Sequence, residues 1–147
     1  MAKFGGNLEV QTFYKDINGW IAFVEDSVKD VVYLTVEKAS EDIVKLSPVD
    51  TGRFKGNWQV TANAPAQQAL IDRDVAGSDT IARLKRQARA VANAQSTKVI
   101  FISNVVDYSV HLEYGSSLQA PNGVLGVVET RLGRYFSEAV EESRRKR

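Results

Sequence analysis

The longest regular pattern in the chain is a row of apolar residues between Asp16 and Leu46. The row contains Ile17, Trp20, Ile21, Val24, Val28, Val31, Val32, Ala39, Ile43 and Leu46. Spacings of three, four and seven residues place these side chains on one face of a helix. Pro48 ends the helix, because its ring disfavours helical geometry at Ser47 and it has no backbone N–H to donate. The pattern therefore predicts one long helix over residues 16–46.

Three apolar residues of the same segment fall outside this row: Phe23, Leu34 and Val36. A helix with apolar residues on a second face has a second packing partner. That partner is either another element of the same chain or a neighbouring subunit, and the sequence leaves both alternatives open.

A strict alternation of apolar and polar residues follows Pro48. Phe54, Gly56, Trp58, Val60 and Ala62 fall on one face. Charged and polar residues occupy every position between them. A period of two with one apolar and one polar face predicts a strand over residues 53–63 that is buried on one side.

Shorter patterns complete the chain. Ser78 and Asp79 offer capping oxygens to a second helix, and residues 97–103 form a short apolar run that predicts a more fully buried strand. A short helix ends at Gly115, and a last amphipathic helix starts near Val124. The apolar stripes of the second and last helices are Ile81, Leu84, Ala88 and Val91, and Leu125, Val128, Leu132, Tyr135, Phe136, Ala139 and Val140.

These elements predict an α+β fold, with a small curved sheet of few strands packed against the long N-terminal helix and a C-terminal helix. The sheet is antiparallel or mixed. A chain of 147 residues fits one domain. We expect an N-terminal arm over residues 1–15, a core over residues 16–140 and a basic tail over residues 141–147.

Composition narrows the classes of function. The 19 Lys and Arg residues nearly balance the 18 Asp and Glu residues, so no overall field attracts nucleic acid or membrane. The absence of cysteine excludes disulfides, thiol nucleophiles and cysteine metal sites. No segment approaches the roughly 20 apolar residues that span a bilayer, and the first ten residues lack a signal-peptide run. We expect neither secretion nor membrane insertion.

The triplet Asp50-Thr51-Gly52 matches the catalytic tripeptide of aspartic proteases, which suggests a dimeric protease as one alternative. Such an enzyme presents each catalytic carboxylate on a loop that follows an apolar strand. Here a helix ending in Ser-Pro precedes Asp50, and Arg53 follows where a small residue is expected. The favoured interpretation is a turn, in which Pro48 ends the helix, Asp50 accepts main-chain hydrogen bonds with support from Thr51, and Gly52 takes a positive φ.

A candidate calcium loop is the first of two weak candidates for chemistry. Asp72, Asp74 and Gly77 resemble the start of a calcium loop, but Ala76 and Arg83 stand where that loop needs ligands. We predict no metal ligand there.

His111 is the single histidine of the chain, and Asp107 precedes it by one helical turn. A lone histidine without a nucleophile cluster is typical of structural positions. The sequence therefore predicts no catalytic, cofactor-binding or metal-ligating residue, and no enzymatic activity.

Basic residues form two clusters. These are Arg83, Lys85, Arg86 and Arg89 in the second helix, and Arg144, Arg145, Lys146 and Arg147 at the end of the chain. The first cluster is predicted to be a solvated helix face and the second a solubilising tail. Contact with DNA or a partner, as in a DNA-binding accessory protein, is the alternative.

Two segments taken together resemble a protein family. They are "SPVDTGRFKGNWQV" (47–60) and "ISNVVDYSVHLEYGSSLQAPNGVL" (102–125). In this order they resemble the tail-completion, or neck, proteins of long-tailed bacteriophages, with one departure at Val105, where a second Asn is expected. The matching residues outside the turn are Trp58, Asn104, Tyr108, Glu113, Tyr114, Gly115, Gln119, Pro121 and Gly123.

The resemblance covers roughly residues 16–140 and implies a structural virion protein without catalysis. It implies a homo-oligomeric ring, commonly a hexamer, that completes the tail tube at the head–tail joint. Its partners would be the tail tube protein and the head-side connector, with double-stranded DNA passing through non-specifically. The protein would be made in the host cytoplasm and found in the virion neck. The matched residues are interface candidates.

Overall fold

The computed structural model describes residues 8–115, 118–120 and 122–146, and it has the predicted α+β fold with a small sheet. Five helices are present in this part of the chain: α1 (Leu8–Leu46), α2 (Ser78–Asn93), α3 (Ser109–Glu113), α4 (Leu125–Thr130) and α5 (Leu132–Arg145). A 3₁₀ turn at Lys55–Asn57 precedes strand β1 (Gln59–Ala62), and strand β2 is Ile100–Ser103.

The core forms where the C-terminal half of α1 meets α2, α5 and the sheet. Trp58 is 2% exposed and lies among side chains from all of these elements. The other buried members of the core are Ala39, Ile43, Val44, Phe54, Val60, Leu84, Ala120, Val124, Val128 and Tyr135. The helix faces that the periodicity predicted for α2 and for the last helix, now α4 and α5, therefore contribute Leu84, Val128 and Tyr135.

The sheet is a single antiparallel pair in which Gln59 faces Ser103 and Ala62 faces Ile100. The outer edge of β1 is covered by side chains of α2. Gln87 accepts a hydrogen bond from the Val60 N–H at 2.9 Å, and Arg83 donates to the Trp58 carbonyl at 2.8 Å.

The N-terminal half of α1 extends beyond the core, contrary to the prediction of one continuous inner stripe. Val24, Val28 and Val32 belong to the predicted inner row, yet they are 36%, 58% and 36% exposed. Leu34, which lies outside that row, is 3% exposed. The reason is that α2 and α5 both pack on α1. They cover two faces of the helix around Leu34, but they leave Val24, Val28 and Val32 partly exposed.

The predicted bounds of α1 and of the first strand are corrected by the structure. The helix begins at Leu8 and not near Asp16, while residues 1–7 of the predicted arm lie outside the described part. The predicted strand over 53–63 shortens to Gln59–Ala62, because the Gly56 N–H bonds to the Gly52 carbonyl at 2.9 Å and closes a turn. Trp58 and Val60 are buried as predicted.

The last predicted helix divides at Arg131 into α4 and α5. The segment predicted as a basic tail from residue 141 is the end of α5, where Ser143 is 3% exposed. That burial follows from packing of α5 on α1, to which the Lys38–Glu142 ion pair at 3.1 Å contributes.

The start of α2 is capped by Asp74 and not by the predicted Ser78 and Asp79. One oxygen of Asp74 accepts from the Gly77 N–H, and the other accepts from the N–H and hydroxyl of Thr80, all at 2.8 Å. These hydrogen bonds lower the pKa of Asp74 against the opposing effect of its burial. The two aspartates of the former calcium-loop candidate thus have structural partners, since Asp72 pairs with Arg83 at 3.4 Å.

Candidate assembly site

The two segments that resemble the neck proteins fold against each other, although residues 61–101 separate them in sequence. Together they line an open cleft of about 500 Å³. Its lining consists of residues 48–54, Arg73, Tyr108, Leu112 and Gln119. We call this cleft and the contacts around it the motif joint.

Gln119 holds the two segments together through its side-chain amide. Its Oε1 accepts from the Val49 N–H at 2.8 Å, and its Nε2 donates to the Val49 carbonyl at 2.9 Å. An amide is the side-chain group that offers one donor and one acceptor in this geometry. Gln119 therefore satisfies both main-chain groups of the residue after Pro48, as a neighbouring strand would.

The predicted turn at Pro48 to Gly52 is present, but with different hydrogen bonds. Gly52 has the predicted positive φ of 82°. Its carbonyl accepts from the N–H of Gly56 and from that of Asp74, so it ties the turn to the loop before α2. Thr51 Oγ1, and not the carboxylate of Asp50, accepts from the Arg53 N–H at 3.3 Å. Asp50 is exposed, and its carboxylate accepts no hydrogen bond from the described residues. The prediction that this carboxylate forms the turn is therefore wrong.

Trp58 connects the motif joint to the end of α1. Its indole Nε1 donates to Ser47 Oγ at 2.8 Å, and that hydroxyl donates to the Ile43 carbonyl at 2.6 Å. The Trp58 ring meets the Phe54 ring edge to face at a centroid distance of 5.5 Å. A buried indole is stabilised when its N–H finds such a partner. Trp58 thus fixes the last turn of α1 through both apolar and polar contacts.

Asn104 and Tyr108 approach the first segment from the other side. Asn104 Nδ2 donates to the Phe54 carbonyl at 2.8 Å, and its Oδ1 accepts from the Val106 N–H at 3.2 Å. The ring of Tyr108 lies 6.4 Å from that of Phe54. Asn104, one of the residues that match the neck proteins, therefore joins the two segments.

Glu113 organises the start of α4. Its carboxylate accepts from the N–H groups of Val124, Leu125 and Gly126 at distances of 2.7 to 2.9 Å. Gly123 has a φ of 75°, and a Cβ there would clash with the Glu113 carbonyl oxygen. Gly115 ends α3, as predicted, with a φ of 86°.

Two matched residues do not take part in these contacts in the described part of the chain. Tyr114 is 86% exposed, and its place in an interface stays a prediction. Pro121 lies outside the described residues. His111 is also exposed, and its predicted neighbour Asp107 precedes α3 and pairs with Arg53 at 3.4 Å.

The basic residues of α2 do not form the predicted uniform solvated face. Arg83 points inward, donates to the Gly56 and Trp58 carbonyls and has its pKa lowered by burial. Lys85 pairs with Glu37 of α1 at 3.5 Å, and Arg89 stacks on Tyr33 at 4.1 Å from the ring centroid. Arg86 is exposed.

The second basic cluster lies on α5. Arg144 and Arg145 are exposed in its last turn, and Lys146 lies 3.8 Å from Asp30 of α1. Arg147 lies outside the described residues. In the first basic cluster, the prediction of a solvated position is wrong for Arg83, because its long side chain reaches the Gly56 and Trp58 carbonyls.

A polar cluster that sequence reasoning missed holds α5 on α1. Tyr135 donates to Asp42 Oδ2 at 2.5 Å, and Arg131 lies 3.3 Å from the same oxygen. Burial, followed by the hydrogen bond to Asp42, raises the pKa of Tyr135 to about 12. The sequence placed Tyr135 on the inner stripe but gave no sign of its polar partner.

A metal-binding cluster and a membrane-spanning helix are absent from the described part of the chain. Its His, Asp and Glu residues form no group able to hold a metal ion. Its helices include none long and apolar enough to cross a membrane. Asp50 follows a helix, and this differs from the strand-and-loop setting of an aspartic protease carboxylate. Comparison with protein-family models, curated proteins and solved structures found no match to this chain.

Proposed function

We propose that this chain is a structural protein of the neck of a long-tailed bacteriophage. It completes the tail tube as an oligomeric ring, contacts the head-side connector and lets DNA pass through the ring. The proposal has no catalytic step. It rests on the resemblance of residues 47–60 and 102–125 to the tail-completion proteins.

The observation that carries the proposal is the motif joint. Gln119 bonds to Val49, Asn104 bonds to Phe54, and Glu113 caps α4. These residues carry the resemblance, and each makes a contact that fixes the chain path. A motif whose members fix one another's positions supports a structural role for these residues.

Native mass measurement and negative-stain electron microscopy test the proposal. We expect rings when the purified chain is mixed with the tail tube protein of the same phage. Tails assembled without the chain should lack the terminal ring and fail to join heads. A chain that stays strictly monomeric and never binds tails would contradict the proposal.

Gln119→Ala sharpens this experiment with a matched control. The substitution removes both hydrogen bonds to Val49, so we expect weaker ring formation on tubes. Gln67→Ala, at an exposed glutamine whose side-chain amide donates to the Pro65 carbonyl two residues away, should leave assembly unchanged. Equal loss of assembly in both variants would show that the motif joint has no particular role.

A further inference from the structure

The overhanging half of α1 forms one wall of an apolar groove. Its opposite wall comes from the end of α2 and the start of β2, and the space between them measures about 280 Å³. We call it the overhang groove and define it by Val28, Val32, Val91, Lys98 and Ile100. Val28 is 58% exposed, which is unusual for a valine on the same row as core residues.

The β2 wall of this groove offers main-chain groups as well as side chains. The Asn63 N–H donates to the Val99 carbonyl at 2.7 Å, so Val99 faces β1. In an antiparallel pair the inward main-chain groups alternate, and those of Ile100 and Ile102 therefore point outward. No described residue bonds to them. An extended segment can pair with such an edge, as in strand addition.

The charge of the groove also favours a particular kind of partner. The charged residues that line it are Lys29 and Lys98. Neither lysine forms an ion pair with another described residue. An acidic group beside an apolar side chain would complement this surface.

A segment with these properties projects from the loop before α2. Leu70 is fixed by Asn57 Oδ1 at 2.6 Å, and Asp74 by the Gly52 carbonyl at 3.0 Å. Between these two anchors Ile71 is 97% exposed, and Asp72 follows it. Because both ends of the segment are held, presenting Ile71 costs little conformational entropy on binding. We call residues 71–73 the Ile71 projection.

The groove and the projection lie at opposite ends of α2. Val91 and Ala92 in the last turns line the groove, whereas the projection precedes Ser78, where α2 starts. Asp72 pairs with Arg83 in the second turn of α2, and Val91 follows Arg83 by eight residues, or about 12 Å along the helix. The projection is also held at both of its ends. One copy cannot fill its own groove, but it can fill that of the next copy. A contact between two different surfaces of this kind repeats head to tail and closes into a ring when its rotation permits.

We propose that the overhang groove binds the Ile71 projection of a second copy of this chain. The Ile71 side chain lies against Val28 and Val32. The exposed part of the Asp72 carboxylate, which pairs with Arg83 within its own copy, lies beside Lys98. This contact deepens the function proposed above and depends on it only for the closure of the ring.

Cysteine cross-linking tests the contact directly, because the chain has no cysteine of its own. Val28→Cys and Ile71→Cys are mixed under a mild oxidant, alone and on tail tubes. We expect a disulfide-linked pair of the two variants, and a ladder of covalent oligomers from the double variant. As a matched control, Leu132→Cys replaces Ile71→Cys, since Leu132 is an exposed apolar residue of α5. That control should give only background cross-linking.

The outcomes separate this inference from the proposed function. If rings form but Val28→Cys and Ile71→Cys cross-link no better than the control, the docking contact is wrong and the ring proposal stands. If mass measurement finds only monomers, alone and with tail tubes, both proposals fail.

A second variant measures the strength of the contact. Ile71→Asp should raise the dissociation constant between copies by roughly tenfold or more, as for other buried apolar anchors. Its midpoint of urea unfolding should stay unchanged, because Ile71 is almost fully exposed in the single copy. Leu132→Asp should leave association unchanged. Wild-type association of the Ile71→Asp variant would overturn the inference.

Discussion

The two halves of α1 use similar side chains in opposite ways. In the C-terminal half, Ile43 and Val44 are each 1% exposed. In the overhanging part, which includes the middle of the helix, Val24 and Val28 are 36% and 58% exposed. Apolar periodicity therefore identifies the face of a helix that avoids water, but it does not say whether the same chain provides the cover.

Trp58→Ala is the most severe way to disturb the buried half. It removes a core ring and the hydrogen bond to Ser47, which holds the last turn of α1. We expect a loss of about 3–5 kcal/mol in the free energy of unfolding, measured by urea denaturation. The predicted burial of Trp58 would have to be abandoned if the variant were as stable as the parent.

Gly52→Ala attacks the turn that follows the buried half. At a φ of 82° an added Cβ would lie 2.7 Å from the Val75 nitrogen, which is a main-chain atom that cannot move alone. We expect a loss of about 2–4 kcal/mol from left-handed backbone strain and this clash. Gly133→Ala is the control, since a Cβ there meets nothing within 4 Å.

A pair of identical substitutions compares the two halves directly. Val44→Ala should cost about 2–3 kcal/mol in the free energy of unfolding, because it leaves a cavity in the core. Val28→Ala should change it by less than about 0.5 kcal/mol, as at other exposed positions. Equal effects of the two substitutions in the dilute monomer would mean that the overhang is covered within the single chain.

The smallest expected effect among the buried positions concerns Tyr135, which bonds to Asp42. Its pKa is raised from 10.0 in the unfolded chain to about 12 in the folded chain, so folding favours the neutral phenol. This contribution is fully present below pH 10 and is lost as the pH rises from 10 to 12. Tyr135→Phe should cost about 1–2 kcal/mol at neutral pH through the lost hydrogen bond.

Urea denaturation of both proteins from pH 8 to 12 measures this difference. The stability gap between parent and Tyr135→Phe should narrow above pH 10. A gap that stays constant over this range would show that the phenol does not titrate with folding.

Much of the fold could be predicted from the sequence, because local rules act within one element. The α+β class is confirmed, and the end of α1 near Pro48, the positive φ of Gly52 and the burial of Trp58 follow from proline chemistry, turn chemistry and alternation. The 3₁₀ turn could not be predicted, because it depends on the loop before α2. Asn57 is fully buried there and bonds to Leu70, thirteen residues away.

The candidate site was predictable in its members but not in its contacts. The sequence singled out Gln119, Asn104 and Glu113 by resemblance alone, whereas their partners come from the folded chain. Arg83 illustrates the limit most clearly. Its place on α2 indicated a solvated face, but its guanidinium reaches carbonyls of another segment. Long cationic side chains can span that distance, and apolar periodicity does not predict which groups their charged ends contact.

The Gln119 clamp has a mechanical consequence. Its two hydrogen bonds to Val49 act in parallel. A pull on the loop at residues 118–120 therefore loads both hydrogen bonds at once. Val49 lies just beyond the end of α1, a rod of 39 residues and about 58 Å. Force applied at the exposed Leu118 therefore reaches the C-terminal end of that rod through Val49, where the rod is packed into the core.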